Sequence, residues 1–253
     1  MFKKQYITIF LTILSISTSS LFAQTKKDSA QSIFFVRFEY GYYNTAGDFE
    51  NRFPNSNAAG GSIGFKTASN WQFGVNAAAH FSNKVITNGL LNDIINEAGD
   101  ATDADGELVK VTYEQRGLSL FFQVGKVFSV FGSNPNSGII TQAGIGFLRH
   151  NIKVDYRDGI VYQLSEDMLK GYDHLSSGIA IKQFVGYQYF GKRNLLNFYL
   201  GFELMQGYTK NKREYNYDTR EFDTDLKHDF LYGFRAGWII PIRKRASEEY
   251  YYY

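Results

Sequence analysis

Eight segments of the chain alternate apolar and polar residues with a period of two, the pattern of strands whose two faces meet different surroundings. In the clearest segment, 71–82, apolar residues beginning with Trp71 share one face, while amides, glycine and small polar residues share the other. The pattern predicts strands over 33–43, 58–67, 71–82, 112–126, 138–150, 177–190, 195–209 and 230–242.

The apolar faces of these segments consist almost wholly of Phe, Leu, Ile, Val, Tyr and Trp, and the glycines and charges share the opposite faces. Strands of a membrane barrel have this composition because one face meets lipid and the other lines the lumen. A soluble β-sandwich also alternates, but its loops seldom alternate so evenly between short and long. We therefore predict an all-β fold, an eight-stranded antiparallel up-and-down transmembrane β-barrel over 33–242.

The connections between the segments predict which end of the barrel faces which side. The turns at 68–70, 127–137 and 191–194 are shorter than the loops at 44–57, 83–111, 151–176 and 210–229. Since such barrels keep their periplasmic turns short, both termini are expected in the periplasm of a diderm bacterium. Trp71, Tyr189 and Trp238 then lie near the periplasmic rim, where we expect an aromatic girdle.

The N-terminus has the features of an export signal. Lys3 and Lys4 precede an apolar run and a small-residue region that ends at Ala23, so residues 1–23 are predicted to be a signal peptide and 24–32 a short periplasmic segment. The chain contains no cysteine, which excludes a lipoprotein acylated on Cys and a disulfide-stapled domain.

Residues 243–253 are predicted to form a periplasmic tail. It combines basic residues with four tyrosines: Arg243, Lys244, Arg245, Tyr250, Tyr251, Tyr252 and Tyr253. Two interpretations stay open, a segment whose basic residues meet lipid headgroups and a docking peptide for a periplasmic or assembly partner.

Charge and composition narrow the class of protein. The sequence has 27 basic and 25 acidic residues, and Lys3 and Lys4 account for the whole excess. A neutral mature chain gives no reason to expect nucleic-acid binding. Aromatic residues make up 17% of the chain, which suits strands that need lipid-facing rings.

Charged residues on the inward faces predict an ion cluster in the lumen. Glu203, Arg235 and Glu39 fall on strands that become neighbours when the barrel closes, so we expect Arg235 between the two carboxylates and Arg37 as the fourth member of the cluster. Lys66 and Lys182 also face inward. The cluster is either the satisfied polar core of a narrow barrel or a gate for small solutes or ions.

Residues His80, Phe81, Ser82 and Asn83 resemble the His-x-Ser-Asn element of the outer-membrane lipid A deacylases. That resemblance implies His80 as the base for a Ser82 nucleophile. The alternative is a polar pair at the mouth of the lumen.

Metal and cofactor sites receive no support from the sequence. The acidic segment 100–107 misses an EF-hand pattern at Ala101 and Thr112, and the histidines lack ligand spacing, so we expect no metal and no cofactor. In the preceding loop, Leu90, Leu91, Ile94 and Ile95 recur at helical spacing, which predicts a short helix packed on the barrel or against a partner.

Across 33–242 the chain resembles the small outer-membrane barrels of the OmpA-barrel, OmpX and OmpW type, and the PorT-like barrels of bacteria with type IX secretion. The resemblance implies a non-enzymatic outer-membrane protein with a structural, surface-binding or export-accessory role. Its expected partners are outer-membrane lipid, the barrel assembly machinery, and periplasmic or outer-membrane export proteins. A narrow channel for small solutes or ions is the first alternative, and a lipid A-modifying hydrolase the second.

Overall fold

A computed structural model describes residues 30–87, 89–131, 134–157, 159–191, 196–213 and 215–242. The predicted signal peptide 1–23, most of the segment 24–32 and the tail 243–253 lie outside these residues.

Eight long strands form the barrel, and three short ones lie in its connections. In chain order the strands are β1 (Ile33–Gly47), β2 (Asn55–Lys66), β3 (Trp71–Ser82), β4 (Asp100–Thr102), β5 (Leu108–Phe128), β6 (Gly138–Tyr156), β7 (Ser176–Phe190), β8 (Asn197–Asn211), β9 (Tyr215–Asn216), β10 (Glu221–Phe222) and β11 (Lys227–Ile242). A 3-10 helix (Tyr162–Leu164) and the short helix α1 (Glu166–Leu169) lie between β6 and β7. Among the described residues, no helix is long and apolar enough to cross a membrane.

Every long strand pairs antiparallel with its neighbours, in the order β3-β2-β1-β11-β8-β7-β6-β5. A further pairing joins β3 to β5, and β1 pairs with β11, so the first and last strands close the wall. The predicted eight-stranded antiparallel up-and-down barrel is confirmed. We call the end that carries residues 30 and 242 the terminal end, and the opposite end the loop end.

Several strands extend further toward the loop end than the alternation predicts. β5 begins at Leu108 and β6 ends at Tyr156, and the loop predicted at 44–57 shrinks to 48–54 because β1 and β2 continue into it. That loop is now shorter than the turn 129–137, although the other loop-end connections remain long. Near this end the outward face becomes polar, so the ladder of hydrogen bonds continues where the apolar-polar contrast has ended.

The outward face carries a belt of exposed apolar side chains around the barrel. Phe38, Ile145 and Phe234 expose 60%, 59% and 65% of their surface, and comparable residues recur on all eight long strands. A soluble domain would bury such rings, whereas a strand facing lipid requires them. The belt has the chemistry of a membrane-spanning wall.

The interior holds two apolar layers. The layer at the terminal end consists of Ile33, Phe35, Val127, Ile140, Phe184, Phe190, Tyr199 and Ile239. The layer at the loop end includes Tyr43, Phe49, Phe53, Phe121, Leu148, Met205 and Leu231 and continues into the loops above the barrel. Polar and charged side chains occupy the space between these layers.

The helix expected at 90–95 does not form. Residues 89–95 make hydrogen-bonded turns instead, and Gly89 and Leu91 adopt positive φ angles of 83° and 61°, which a right-handed helix does not accommodate. Leu90 and Leu91 are nevertheless buried, with Ile94 and Ile95 packed beside them. The apolar spacing therefore reports burial under the loops of this barrel.

Candidate functional site in the lumen

Arg235 lies between Glu39 and Glu203 at mid-height in the barrel. Its Nη1 is 2.8 Å from Glu203 Oε2 and 3.4 Å from Glu39 Oε2. The three residues come from β11, β1 and β8, which are adjacent, and their side chains are at most 4% exposed. We call Arg235, Glu39, Glu203 and Lys182 the lumen ion cluster.

Lys182 on β7 supplies the second cation of the lumen ion cluster. Its Nζ is 3.9 Å from Glu203 Oε2, donates to Asn76 Oδ1 at 2.6 Å, and lies 4.5 Å from the centre of the Phe121 ring. The cluster therefore balances two cations against two carboxylates. Sequence reasoning recognised Lys182 as inward-facing but did not join it to the cluster, because its contact with Asn76 on β3 crosses the lumen.

Neutral side chains donate further hydrogen bonds to the two carboxylates. Ser62 Oγ donates to Glu39 Oε1 and Asn76 Nδ2 to Glu39 Oε2, both at 2.7 Å. The Tyr43 hydroxyl donates to Glu203 Oε1 at 2.8 Å. Charges buried in a low-dielectric interior are tolerated when such partners satisfy them. The arrangement is a bonded polar core.

Arg37 lies nearer the terminal end and makes no ion pair among the described residues. Its guanidinium donates to the side-chain oxygens of Gln72 and Gln188, the latter at 3.0 Å, and lies 4.2 Å from the centre of the Phe35 ring. The sequence placed Arg37 in the lumen ion cluster. In the structure it lies apart from the ion pairs of that cluster. Its cation is held by amide oxygens and an aromatic face.

The apolar layer below the cluster is closed by Phe184. Its ring lies against two paired glycines, Gly186 and Gly201, where a β-carbon would come within 2.7 Å and 2.6 Å of the ring tip. The Arg235 guanidinium lies 4.6 Å from the centre of the same ring. The absence of side chains at the two glycines thus leaves room for the Phe184 ring inside the lumen.

The loop-end side of the cluster is covered by the loop 48–54, which folds inward. Phe49 and Phe53 are fully buried, and both rings contact the ring of His150 edge-on, with centroids 4.7 Å and 6.0 Å apart. His150 Nε2 is 2.8 Å from Asp229 Oδ2, and Thr209 donates to the same oxygen at 2.6 Å. Sequence reasoning missed this inward-folded loop. The one signal for it in the sequence is the pair of phenylalanines in an otherwise polar loop.

The space that remains in the lumen is small. A cavity of about 10 Å³ borders the ion cluster, with Tyr43, His80 and Ser119 in its lining, and a second of about 10 Å³ lies beside Arg37. Each has room for roughly one water molecule. Among the described residues, the two cavities share no lining residue.

His80 and Ser82 have different hydrogen-bond partners. His80 Nε2 is 2.9 Å from Ser119 Oγ, whereas Ser82 Oγ donates to Asn55 Oδ1 at 2.7 Å. Both side chains point into the lumen and are almost wholly buried. This geometry favours the polar-pair interpretation, because a hydrolase would need its nucleophile bonded to the base and open to lipid.

The acidic segment 100–107 forms a turn. Asp103 Oδ1 accepts hydrogen bonds from the backbone amides of Asp105 and Glu107, and Asp100–Thr102 pairs with the start of β5. The described residues contain no group of three side chains suited to hold a metal ion.

The residues proposed for the girdle all lie near the terminal end. Trp71 begins β3 and is 43% exposed, and Trp238 near the end of β11 is 57% exposed. Tyr189 is half-buried and its ring packs 5.4 Å from that of Phe198. The three residues thus belong to the terminal end of the wall, where an interfacial girdle is expected.

The loop-end connections 48–54, 83–107, 157–175 and 212–226 are bonded to one another, and we call them the cap. Backbone hydrogen bonds join Ile86 to Arg52, Ala104 to Ile160 and Tyr217 to Gly171. Ion pairs join Arg213 to Asp173 and Arg220 to Asp93, and His174 Nε2 is 2.9 Å from Asp218 Oδ2. The cap is therefore an ordered surface.

The pair His174–Asp218 sets the protonation of the Asp218 carboxyl. Burial acts to raise its pKa, but the hydrogen bond and charge of His174, with backbone hydrogen bonds, outweigh it, so the pKa lies below its ordinary value. The carboxylate is therefore the form that the cap stabilises.

Comparison with known proteins gives likenesses of architecture. No family model matches the chain, and no curated protein matches it. Among solved structures, Ail of Yersinia pestis in complex with the heparin analogue sucrose octasulfate is 8% identical, with 83% of this chain and 99% of that chain covered and a TM-score of 0.40. The N-terminal β-barrel domain of Pseudomonas aeruginosa OprF is 11% identical, over 84% of this chain and 99% of that chain, with a TM-score of 0.35. The outer membrane protein OprG of P. aeruginosa is 13% identical, over 85% and 99%, with a TM-score of 0.36.

Proposed function

We propose that this protein is a non-conducting, non-enzymatic outer-membrane β-barrel that works through its cap, with both termini in the periplasm. The observation that carries the proposal is the lumen, in which two apolar layers lie on either side of a charge-balanced ion cluster and the two cavities each hold about one water molecule. A filled lumen gives solutes no route, so the surface above the wall is the part available for binding.

The cap has the composition of a binding surface. Leu108 at the start of β5 and three residues in the cap, Ile160, Tyr162 and Phe222, expose between 63% and 74% of their surface. Exposed apolar residues on an ordered polar surface are typical of sites that contact another macromolecule. The same surface is braced by the loop-to-loop bonds described above, so a partner would meet a preformed shape.

Single-cysteine labelling tests location and orientation, because the chain has no cysteine of its own. We expect Phe222→Cys in the cap to react with a membrane-impermeant maleimide in intact cells. Val130→Cys, in the turn 129–137, should react only after the outer membrane is permeabilised, and Ile179→Cys on the apolar belt should stay protected in both. Labelling of Val130→Cys in intact cells, with Phe222→Cys protected, would contradict the orientation.

An accessory role in an envelope export complex is a further part of the proposal. It is supported by the tyrosine-rich sequence of the tail 243–253, which lies outside the described residues. Affinity purification of the full chain from native envelopes, beside a version truncated after Ile242, tests it. Stoichiometric partners that are lost on truncation support docking through the tail; the same partners on both versions would count against it.

A further inference from the structure

Three positions on the outward face lie in one row where the apolar belt gives way to polar residues. Arg149 on β6 is paired with Ser177 on β7, and Ser177 is paired with Lys210 on β8. Since neighbouring strands are about 5 Å apart, the α-carbons of the two cations lie about 10 Å apart with the serine between them. Arg149 and Lys210 are exposed, and neither makes an ion pair or side-chain hydrogen bond among the described residues.

Ser177 lies between the two cations in this row, and we call the three positions the notch. It is 6% exposed although it occupies an outward position, as expected of a short side chain between two long ones. Its hydroxyl makes no hydrogen bond within the described part of the chain. Two unpaired cations flanking a free hydroxyl form a set of donors suited to a phosphate group.

An apolar row lies directly toward the bilayer side of this notch, on the same three strands. Phe147 is paired with Ile179, and Ile179 with Tyr208. Phe147 and Ile179 are 47% and 61% exposed. The cations lie on the loop-end side and the apolar row on the bilayer side of the same three strands. This arrangement matches a molecule that carries a phosphate on an acyl-chain anchor.

Two cations near the notch are compensated by carboxylates, unlike Arg149 and Lys210. Arg116 pairs with Glu114, and Lys153 Nζ is 3.3 Å from Asp155 Oδ2. Arg149 and Lys210 have no such carboxylate. The outward positions Tyr42, Asn57 and Tyr232 on β1, β2 and β11 are uncharged.

We propose that Arg149, Ser177 and Lys210 form a binding site for the phosphate of a glycolipid in the outer leaflet, with the acyl chains against Phe147, Ile179 and Tyr208. The site rests on the proposed outer-membrane location, with the loop end outward. The occupant is a membrane lipid because the apolar row continues from the cations without interruption.

The test uses the folded full chain in neutral detergent micelles, with bisphosphorylated lipid A and its dephosphorylated form as probes and bound lipid counted by native mass spectrometry. Each basic residue near an anionic lipid contributes a factor of roughly five in affinity, so Arg149→Gln/Lys210→Gln should bind lipid A about 30-fold more weakly. The matched variant Lys110→Gln/Lys153→Gln loses the same charge further from the belt and should change affinity less than about threefold. Wild type should prefer lipid A to the dephosphorylated form.

Three results would overturn the site: equal affinity of Arg149→Gln/Lys210→Gln and wild type, equal binding of the two probes, or displacement of lipid A by an equal concentration of inorganic phosphate. Insertion of the wild type into phosphatidylcholine vesicles, measured by protease protection, is scored separately. Failure to insert would contradict the proposed membrane barrel, whereas normal insertion with no phosphate preference would contradict the site alone.

Discussion

The lumen ion cluster and the cap both contain ion pairs, but in opposite surroundings. The side chains of Arg235, Glu39 and Glu203 are at most 4% exposed, whereas those of Arg220 and Asp93 in the cap are 72% and 70% exposed. A buried charge depends on its partner, because water cannot replace it, while an exposed pair adds little to stability. The lumen ion pairs are thus expected to matter strongly for stability, whereas the exposed pair in the cap is expected to matter little.

The largest expected effect is the loss of the central cation. Arg235→Met leaves two buried carboxylates facing Lys182 alone and should lower the free energy of unfolding by about 3–5 kcal/mol. Urea unfolding in micelles measures it. The double variant Arg235→Met/Glu203→Met keeps one cation and one carboxylate, so it should be more stable than Arg235→Met. A loss below about 1 kcal/mol in the single variant would show that water already reaches the cluster.

The next effect comes from loop 48–54, the part of the cap that folds into the lumen. Phe49→Ala removes a fully buried ring from its contact with His150 and should cost about 3 kcal/mol. Phe222→Ala in the cap is the matched control, since its ring is 74% exposed and its loss should change stability by less than about 0.5 kcal/mol. Equal losses in the two variants would mean that loop 48–54 does not fold into the lumen.

A smaller effect on stability is expected at Asp218 in the cap, and it depends on pH. The pKa of Asp218 is lowered in the folded protein, so its contribution is present above the unfolded pKa of about 4 and is lost as the pH falls through the folded pKa. Asp218→Asn should cost about 1 kcal/mol at neutral pH, and this difference should shrink as the pH drops below about 4. Thermal unfolding of both proteins across that range measures it; a difference that grows on acidification has the wrong sign.

The smallest effect is expected at the exposed pair in the cap. Arg220→Gln should leave the melting temperature unchanged, because both members of the pair with Asp93 are largely in water. A measurable fall would indicate that the pair holds the cap loops together.

Alternation could predict the wall because each strand has two faces with opposite surroundings. The same alternation placed Glu39, Glu203 and Arg235 on the inward face. They meet because β8, β11 and β1 are adjacent in the barrel. Contacts across the lumen carry no such signal. Lys182 reaches Asn76 from an opposite strand, and Arg37 finds two glutamine oxygens, because side-chain length and packing decide those partners.

The loop end shows a second limit. Above the apolar belt the outward face becomes polar, so the extension of β5 and β6 left no period-two contrast to detect. The inward fold of Phe49 and Phe53 depends on the space above His150, which only the assembled barrel defines. Positive φ angles at Gly89 and Leu91 likewise override a helical spacing of apolar residues.

The central claim is that the lumen is sealed, and current through single molecules tests it most directly. Wild type and Arg235→Met would be inserted into planar bilayers, with insertion verified by protease protection of the same preparation. We predict no unitary current steps from the wild type at any voltage the bilayer withstands. Steady ion-conducting steps from the wild type that change in size in Arg235→Met would place an ion path through the cluster and contradict the account.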